Sequence, residues 1–212
     1  MKKSIALVMM AVLLVAASVM GTLAYLTSTD TVKNTFTVGK VNITLDEAEV
    51  DKNGVAVTPA KRVKTNHYKL LPGHTYNKDP MVTVLAGSEP SYIKMTVTFS
   101  KANELDAIFA PTGGANLTSI FNGYDAANWI AKGNTKDAAA NTRTYEFWYK
   151  ETVGAPTADV ALDALFDSIT VPGEITQDQL ETIKDMTITV TAYAIQADGF
   201  ANADAAWAKF SN

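Results

Sequence analysis

Cysteine is absent from this 212-residue chain, and with it go disulfide staples, thiolate nucleophiles and cysteine-held metals. Histidine is almost as scarce. His67 and His74 are the only two, seven residues apart around a Pro-Gly turn, and no glutamate follows either one. A zinc site of the H-E-x-x-H kind needs two imidazoles one helical turn apart with a glutamate between them. A catalytic zinc also normally takes three protein ligands, so the two histidines read as loop or strand-edge residues. The chain carries no G-x-S-x-G elbow, no G-x-x-x-x-G-K-[ST] loop and no G-x-G-x-x-G turn; Pro111-Thr112-Gly113-Gly114 is a turn. Excess positive charge is lacking too. The net charge of −4 argues against a nucleic-acid partner, which would favour a basic patch. No metal or other cofactor is expected from these residues. Asp46, Glu47, Glu49 and Asp51 cluster, yet they lack the alternating ligands and central glycine of an EF-hand loop, so a solvated acidic face is the simpler reading.

What the chain does have begins at residue 1. Lys2 and Lys3 form a positive region, and thirteen residues without a polar side chain follow, from Ile5 to Ala17, a length suited to the apolar part of a secretory signal. Thr22 and Ala24 are small residues at the positions a signal peptidase reads, which places the cut between Ala24 and Tyr25. A second cut after Ser18 fits less of the pattern. The alternative is an uncleaved anchor, because the apolar stretch continues to Leu23 and a membrane helix needs about 20 residues. Residues 1–24 are therefore expected to be a signal-peptide helix, the chain's only membrane contact. A cut there leaves 188 of the 212 residues, enough for one domain with a real core.

Strand patterns fill the remainder. Val32, Phe36 and Val38 fall on even numbers, whereas Val41, Ile43 and Leu45 fall on odd ones. A one-residue slip moves every strand side chain to the other face, so a bulge, bend or break is expected at Gly39. Residues 25–39 form an N-terminal strand segment with Gly39 as hinge, and residues 40–212 form one domain. Asn53-Gly54 between Val50 and Val55 predicts an exposed hairpin. Leu71-Pro72-Gly73-His74 predicts a turn, and residues 81–85 a short strand. The clearest strand sets Ile93, Met95, Val97 and Phe99 on one face and Tyr92, Lys94, Thr96 and Thr98 on the other. Short helices are expected near residues 104–109 and 117–121, and a surface loop over residues 132–143. Tyr145, Phe147 and Tyr149 alternate along another strand; with Trp148 they could stack on sugars, although aromatic strands are more often core. Residues 165–171 read as a strand ended by Pro172-Gly173. Thr176 to Gln179 is a capping box, with Ile175 and Leu180 as its staple. Residues 186–195 should bury Met186, Ile188, Val190, Ala192 and Ala194. Asn202 should cap a last helix whose Trp207 and Phe210 share a face. Many short strands with few helices indicate an all-β sandwich. Asn42-Ile43-Thr44 and Asn116-Leu117-Thr118 match the glycosylation triplet, a short pattern.

Three stretches together carry a family resemblance. Gly21-Thr22-Leu23-Ala24-Tyr25 with Asn34-Thr35-Phe36-Thr37-Val38-Gly39, then Leu71-Pro72-Gly73 with Lys78-Asp79-Pro80 and Ser88-Glu89-Pro90-Ser91-Tyr92-Ile93-Lys94, and finally Ala192-Tyr193-Ala194-Ile195-Gln196-Ala197-Asp198-Gly199-Phe200 with Ala205-Ala206-Trp207 resemble, in order, the exported TasA/camelysin group of Gram-positive bacteria. The resemblance implies a jelly-roll-like antiparallel β-sandwich, removal of the signal by a SipW-type signal peptidase, and secretion to the cell surface or biofilm matrix. In TasA-like members it implies fibres built by donor-strand exchange, with other matrix proteins as further partners. Val32, Phe36 and Val38 would then be donor-strand residues set into alternate pockets of a neighbour; an ordinary edge strand in the same subunit fits them equally. Camelysin lends the group a metallo-endopeptidase label, for which this chain offers no recognised motif. A surface adhesin or carbohydrate-binding module is a third reading, since a fold does not fix a function.

Overall fold

In a computed structural model, residues 39–109 and 121–210 are described. The expected signal helix, the Ala24–Tyr25 cut, Val32, Phe36, Val38 and the turn at Pro111 lie outside them, as do the Asn116 triplet and nearly all of the expected helix at 117–121. The chain divides between Val38 and Gly39, and the unit from Gly39 onward is the one described below.

That unit is mostly antiparallel β-sheet with three short helices among the described residues. In chain order it runs β1 (Ile43–Ala48), β2 (Arg62–Val63), β3 (Thr75–Asn77), β4 (Met81–Val84), β5 (Ser91–Ser100), α1 (Ala102–Phe109), β6 (Phe121–Asn122), β7 (Trp129–Asp137), β8 (Thr142–Tyr149), β9 (Val160–Ala161), β10 (Ser168–Thr170), α2 (Gln177–Thr182), β11 (Ile188–Gln196) and α3 (Ala203–Lys209). Three sheets result, ordered β2-β1-β4-β9, β3-β10-β6 and β11-β5-β8-β7.

The long sheet is organised by the period-2 pattern of β5. Ile93, Met95 and Val97 are fully buried and Phe99 nearly so, and in the β5–β8 register Met95 lies opposite Phe147 and Val97 opposite Tyr145. These side chains meet Val82 and Val84 of β4 in one core with Phe121 and Phe166, whose rings stack at 4.3 Å. A smaller cluster of Tyr76, Val171, Ile175, Leu180 and Ile183 lies under α2. There the capping box forms on both arms: the Thr176 side chain accepts from Gln179 N–H, and Gln179 accepts from Thr176 N–H. Ile175 and Leu180 are buried, as a staple requires.

Four expectations need correction. Residues 132–143 are not a loop: β7 pairs with β8 from Trp129–Tyr149 to Asp137–Thr142. Beyond Trp129 every β7 residue is exposed, so the strand has no apolar periodicity and only its ladder defines it. The strand expected at 165–171 is confined to Ser168–Thr170, while Leu165 and Phe166 are fully buried without being part of it. The Asn53-Gly54 hairpin is reduced to a single Val50–Ala56 bridge. Its glycine is buried rather than exposed, because a Cβ on Gly54 would meet Tyr76 Cα at 2.6 Å. Finally, the apolar face of residues 186–195 is only half-buried, which leads to the site described next.

Candidate functional site

In β5 and β4, one strand in from the sheet edge, core-facing side chains are wholly covered. The strands beside them are different. On β11, Ile188, Val190 and Ala192 stand opposite Phe99, Val97 and Met95 and so face the same way, yet all three are only half-buried. On β1, Ile43 and Leu45 stand opposite the fully buried Val84 and Val82 and are likewise half-buried.

Both strands also have, among the described residues, an edge without a ladder partner. Among the described residues β11 pairs only with β5, and β1 pairs with β2 only at Glu47 and Ala48, leaving residues 43–46 paired on the β4 side alone. The two strands flank a groove of about 1420 Å³ whose lining also includes Leu70, Leu105, Phe109 and Ile183. Small-molecule sites usually enclose about 300–1,000 Å³; this one has the size and the exposed main-chain groups to take an extended peptide. The walls come within 8 Å between Cα atoms in places. A strand paired to both would need about 9.6 Å, twice the ladder spacing, so it must part them slightly or pair with one.

Polar contacts cluster where β1 meets β2. Arg62 of β2 bonds the Asp46 carboxylate, donates from Nη1 to Asp79 Oδ2 at 2.7 Å and from Nη2 to the Asp46 and Asp79 carbonyls at 2.9 and 3.0 Å. Burial pulls this guanidinium down, but the bonds and charges of Asp46 and Asp79 outweigh it and hold it above its ordinary value. Beside it, Glu47 and Lys78 form a buried pair at 2.5 Å. Burial, helped by the Glu47 charge, pushes the Tyr68 phenol well up. Burial likewise pushes Tyr145, on the groove wall, up to about 12.

The residues singled out in the sequence do not converge. His67 is exposed, and the His74 ring nitrogen Nε2 bonds the Asn53 carbonyl at 2.7 Å and packs on Tyr76. The four carboxylates of the acidic run are taken singly: Asp46 by Arg62, Glu47 by Lys78, Glu49 by Lys61, and Asp51 by the Asn53 and Val55 N–H groups. Among the described residues no group of three or more His, Asp or Glu side chains is placed to hold a metal ion. Tyr145, Phe147 and Trp148 are buried and offer no open platform for a sugar. Gly39 is exposed, with Glu89 so near that a Cβ would meet its Cγ at 2.9 Å. From Lys40 onward the chain is held: the Lys40 and Asn42 carbonyls accept from Glu89 and Leu85 N–H, both at 2.9 Å.

Pattern reading missed the groove because alternation marks a face for burial without saying whether the fold supplies a cover. The one available signal was the absence of charge, proline and glycine along β11. In comparison with known proteins, no protein-family model, curated protein or solved structure matches the chain.

Proposed function

We propose that this chain is an exported structural protein of the cell surface or extracellular matrix, of the TasA/camelysin kind, with no catalytic role. On this reading the domain is a jelly-roll-like sandwich. A SipW-type signal peptidase cuts at Ala24–Tyr25, and residues 25–38 of one copy enter the groove of the next. The observation that carries the reading is the pairing of half-covered apolar side chains with strand edges on both β1 and β11 that are unpaired among the described residues. An entering strand would bring both missing elements at once: alternate apolar side chains at Val32, Phe36 and Val38, and a main chain to complete the ladders. Such a head-to-tail contact does not close on itself, so it grows an open filament.

The test is to purify residues 25–212 and a version beginning at Gly39 and to image both by electron microscopy. Fibres from the longer chain only are expected; equal fibre formation, or none by either, overturns the strand role. Casein hydrolysis by the purified protein, lost on His67→Ala or His74→Ala, would restore the peptidase reading.

A further inference from the structure

Lys78, Glu47 and Asn66 make a cluster that the groove reading leaves unused. Lys78 and Glu47 are 6% and 8% exposed. Burying such a pair is costly, and stability alone is a weak reason to keep one. The Glu47 carboxylate bridges two groups: Oε2 lies 2.5 Å from Lys78 Nζ, and Oε1 accepts from Asn66 Nδ2 at 3.1 Å. The same carboxamide donates to the Ala48 carbonyl at 2.8 Å, and its Oδ1 accepts from Val50 N–H at 3.0 Å. An amine, a carboxamide carbon, a shared carboxylate and a backbone N–H on the carbonyl oxygen are the parts of an amide-exchange reaction.

We propose that Lys78 and Asn66 join in an intramolecular isopeptide bond. A proton passes from Nζ to Glu47 across the 2.5 Å contact, leaving a neutral amine as nucleophile. The Nζ–Cγ bond forms, and negative charge gathers on Asn66 Oδ1, where the Val50 N–H stabilises it. Glu47, holding that first proton, gives it to Nδ2 as general acid and takes a second from Nζ as general base, so it ends protonated. The Cγ–Nδ2 bond breaks and ammonia leaves. Atoms and charge balance with no oxidant or cofactor. Holding both reactants at one carboxylate replaces a bimolecular encounter by a unimolecular step. For the bond to form, the Lys78 amine moves from its own carboxylate oxygen toward the carboxamide held on the other. The product links the segment after β2 to the residue preceding Asp79 and Pro80 at the head of β4, a covalent tie in a chain that has no cysteine for a disulfide. It does not depend on fibre formation.

Intact mass spectrometry of the purified full chain decides the matter. The expected mass is below the sequence mass by about 17 Da, the weight of the ammonia expelled, and a protease digest yields a branched peptide containing both Asn66 and Lys78. Glu47→Gln and Lys78→Arg are expected to carry their full sequence masses. A wild-type chain at its full sequence mass overturns the proposal whether or not the variants fold. So does the same loss mapping instead to a cyclised Asn53 before Gly54.

Discussion

The two outer strands of the long sheet, β7 and β11, treat the same problem in opposite ways. An unpaired strand edge is a template for another chain, and proteins blunt such edges with charge, bulges and twist. β7 has both charge and a bulge. It carries Lys132, Lys136 and Asp137, and its register shifts between Ala131 and Gly133, where Gly133 takes φ +116°, a value suited to glycine. Its charges are themselves tied down: Lys132 lies 3.9 Å from the Trp148 ring centre and pairs with Asp204, while Lys136 pairs with Asp106. β11 has neither. Its nine residues hold no charge, no proline and no glycine, its register with β5 is unbroken, and its core-facing side is half-covered. Protection on one edge shows that this sheet does guard against association. Among the described residues β11 has the unprotected edge, and that is where the proposed association is to be sought.

The largest effect is expected where both edges depend on the same support. Phe147→Ala on β8 empties the fully buried centre of the sheet and should cost about 3–5 kcal/mol in urea unfolding, weakening both edges together. Next, Val190→Lys on β11 should abolish fibres of the 25–212 protein in electron micrographs while its circular dichroism stays native. Ile130→Lys on β7, where Ile130 is 43% exposed, should leave fibres unchanged. If the two variants behave alike, the contrast between the edges has no functional meaning. A smaller change is expected from Lys132→Val combined with Lys136→Val, which strips the guards from β7: light scattering at high concentration should rise, and unchanged scattering would show that the bulge alone protects this edge.

The smallest effect concerns acid. Burial pushes the Asp106 carboxyl up, but hydrogen bonds and charge from Lys136 and Arg143 outweigh it, and the group sits below its ordinary value. A carboxyl depressed in the folded state stabilises the fold above its unfolded pKa, about 3.9, and that contribution disappears as pH falls through the folded value. Asp106 joins α1 to neighbouring residues of β7 and β8, so acidification should lower stability through this contact by about 1 kcal/mol or less, read as a small fall in Tm. Asp106→Asn should flatten that part of the Tm-against-pH curve.

Local grammar made much of the domain legible. The faces of β5, the Tyr145 and Phe147 alternation, the Thr176 box and the Asn202 cap each depend on residues within one element, and each is present. What the sequence left hidden depends on distant covers. Lys94 was expected on the open face of β5, yet it is 7% exposed, because Tyr193, Trp207 and Phe210 bring three rings within 4.7–5.1 Å of its ammonium. Those residues lie about a hundred positions later, and cation–π attraction leaves no periodic trace. The groove was hidden for the converse reason: β11 has the pattern of a buried strand but lacks a cover among the described residues. The Glu47–Lys78–Asn66 cluster joins three separate strand ends, a proximity that only the sheet order creates.

The placement of the three tryptophans has an optical consequence. Trp129, Trp148 and Trp207 are all buried on β7, β8 and α3, and none lines the groove. Intrinsic emission therefore arises outside the slot lining: Trp129 and Trp148 report on β7 and β8, and Trp207 reports on α3, which packs against β11. A neighbour's strand taken up between β1 and β11 should reach the spectrum only through Trp207, whereas disturbance at β7 should act through Trp129 and Trp148. With Trp207→Phe the two halves of the sheet can be followed separately in one cuvette, with tryptophan emission for one and a dye placed on an introduced cysteine for the other.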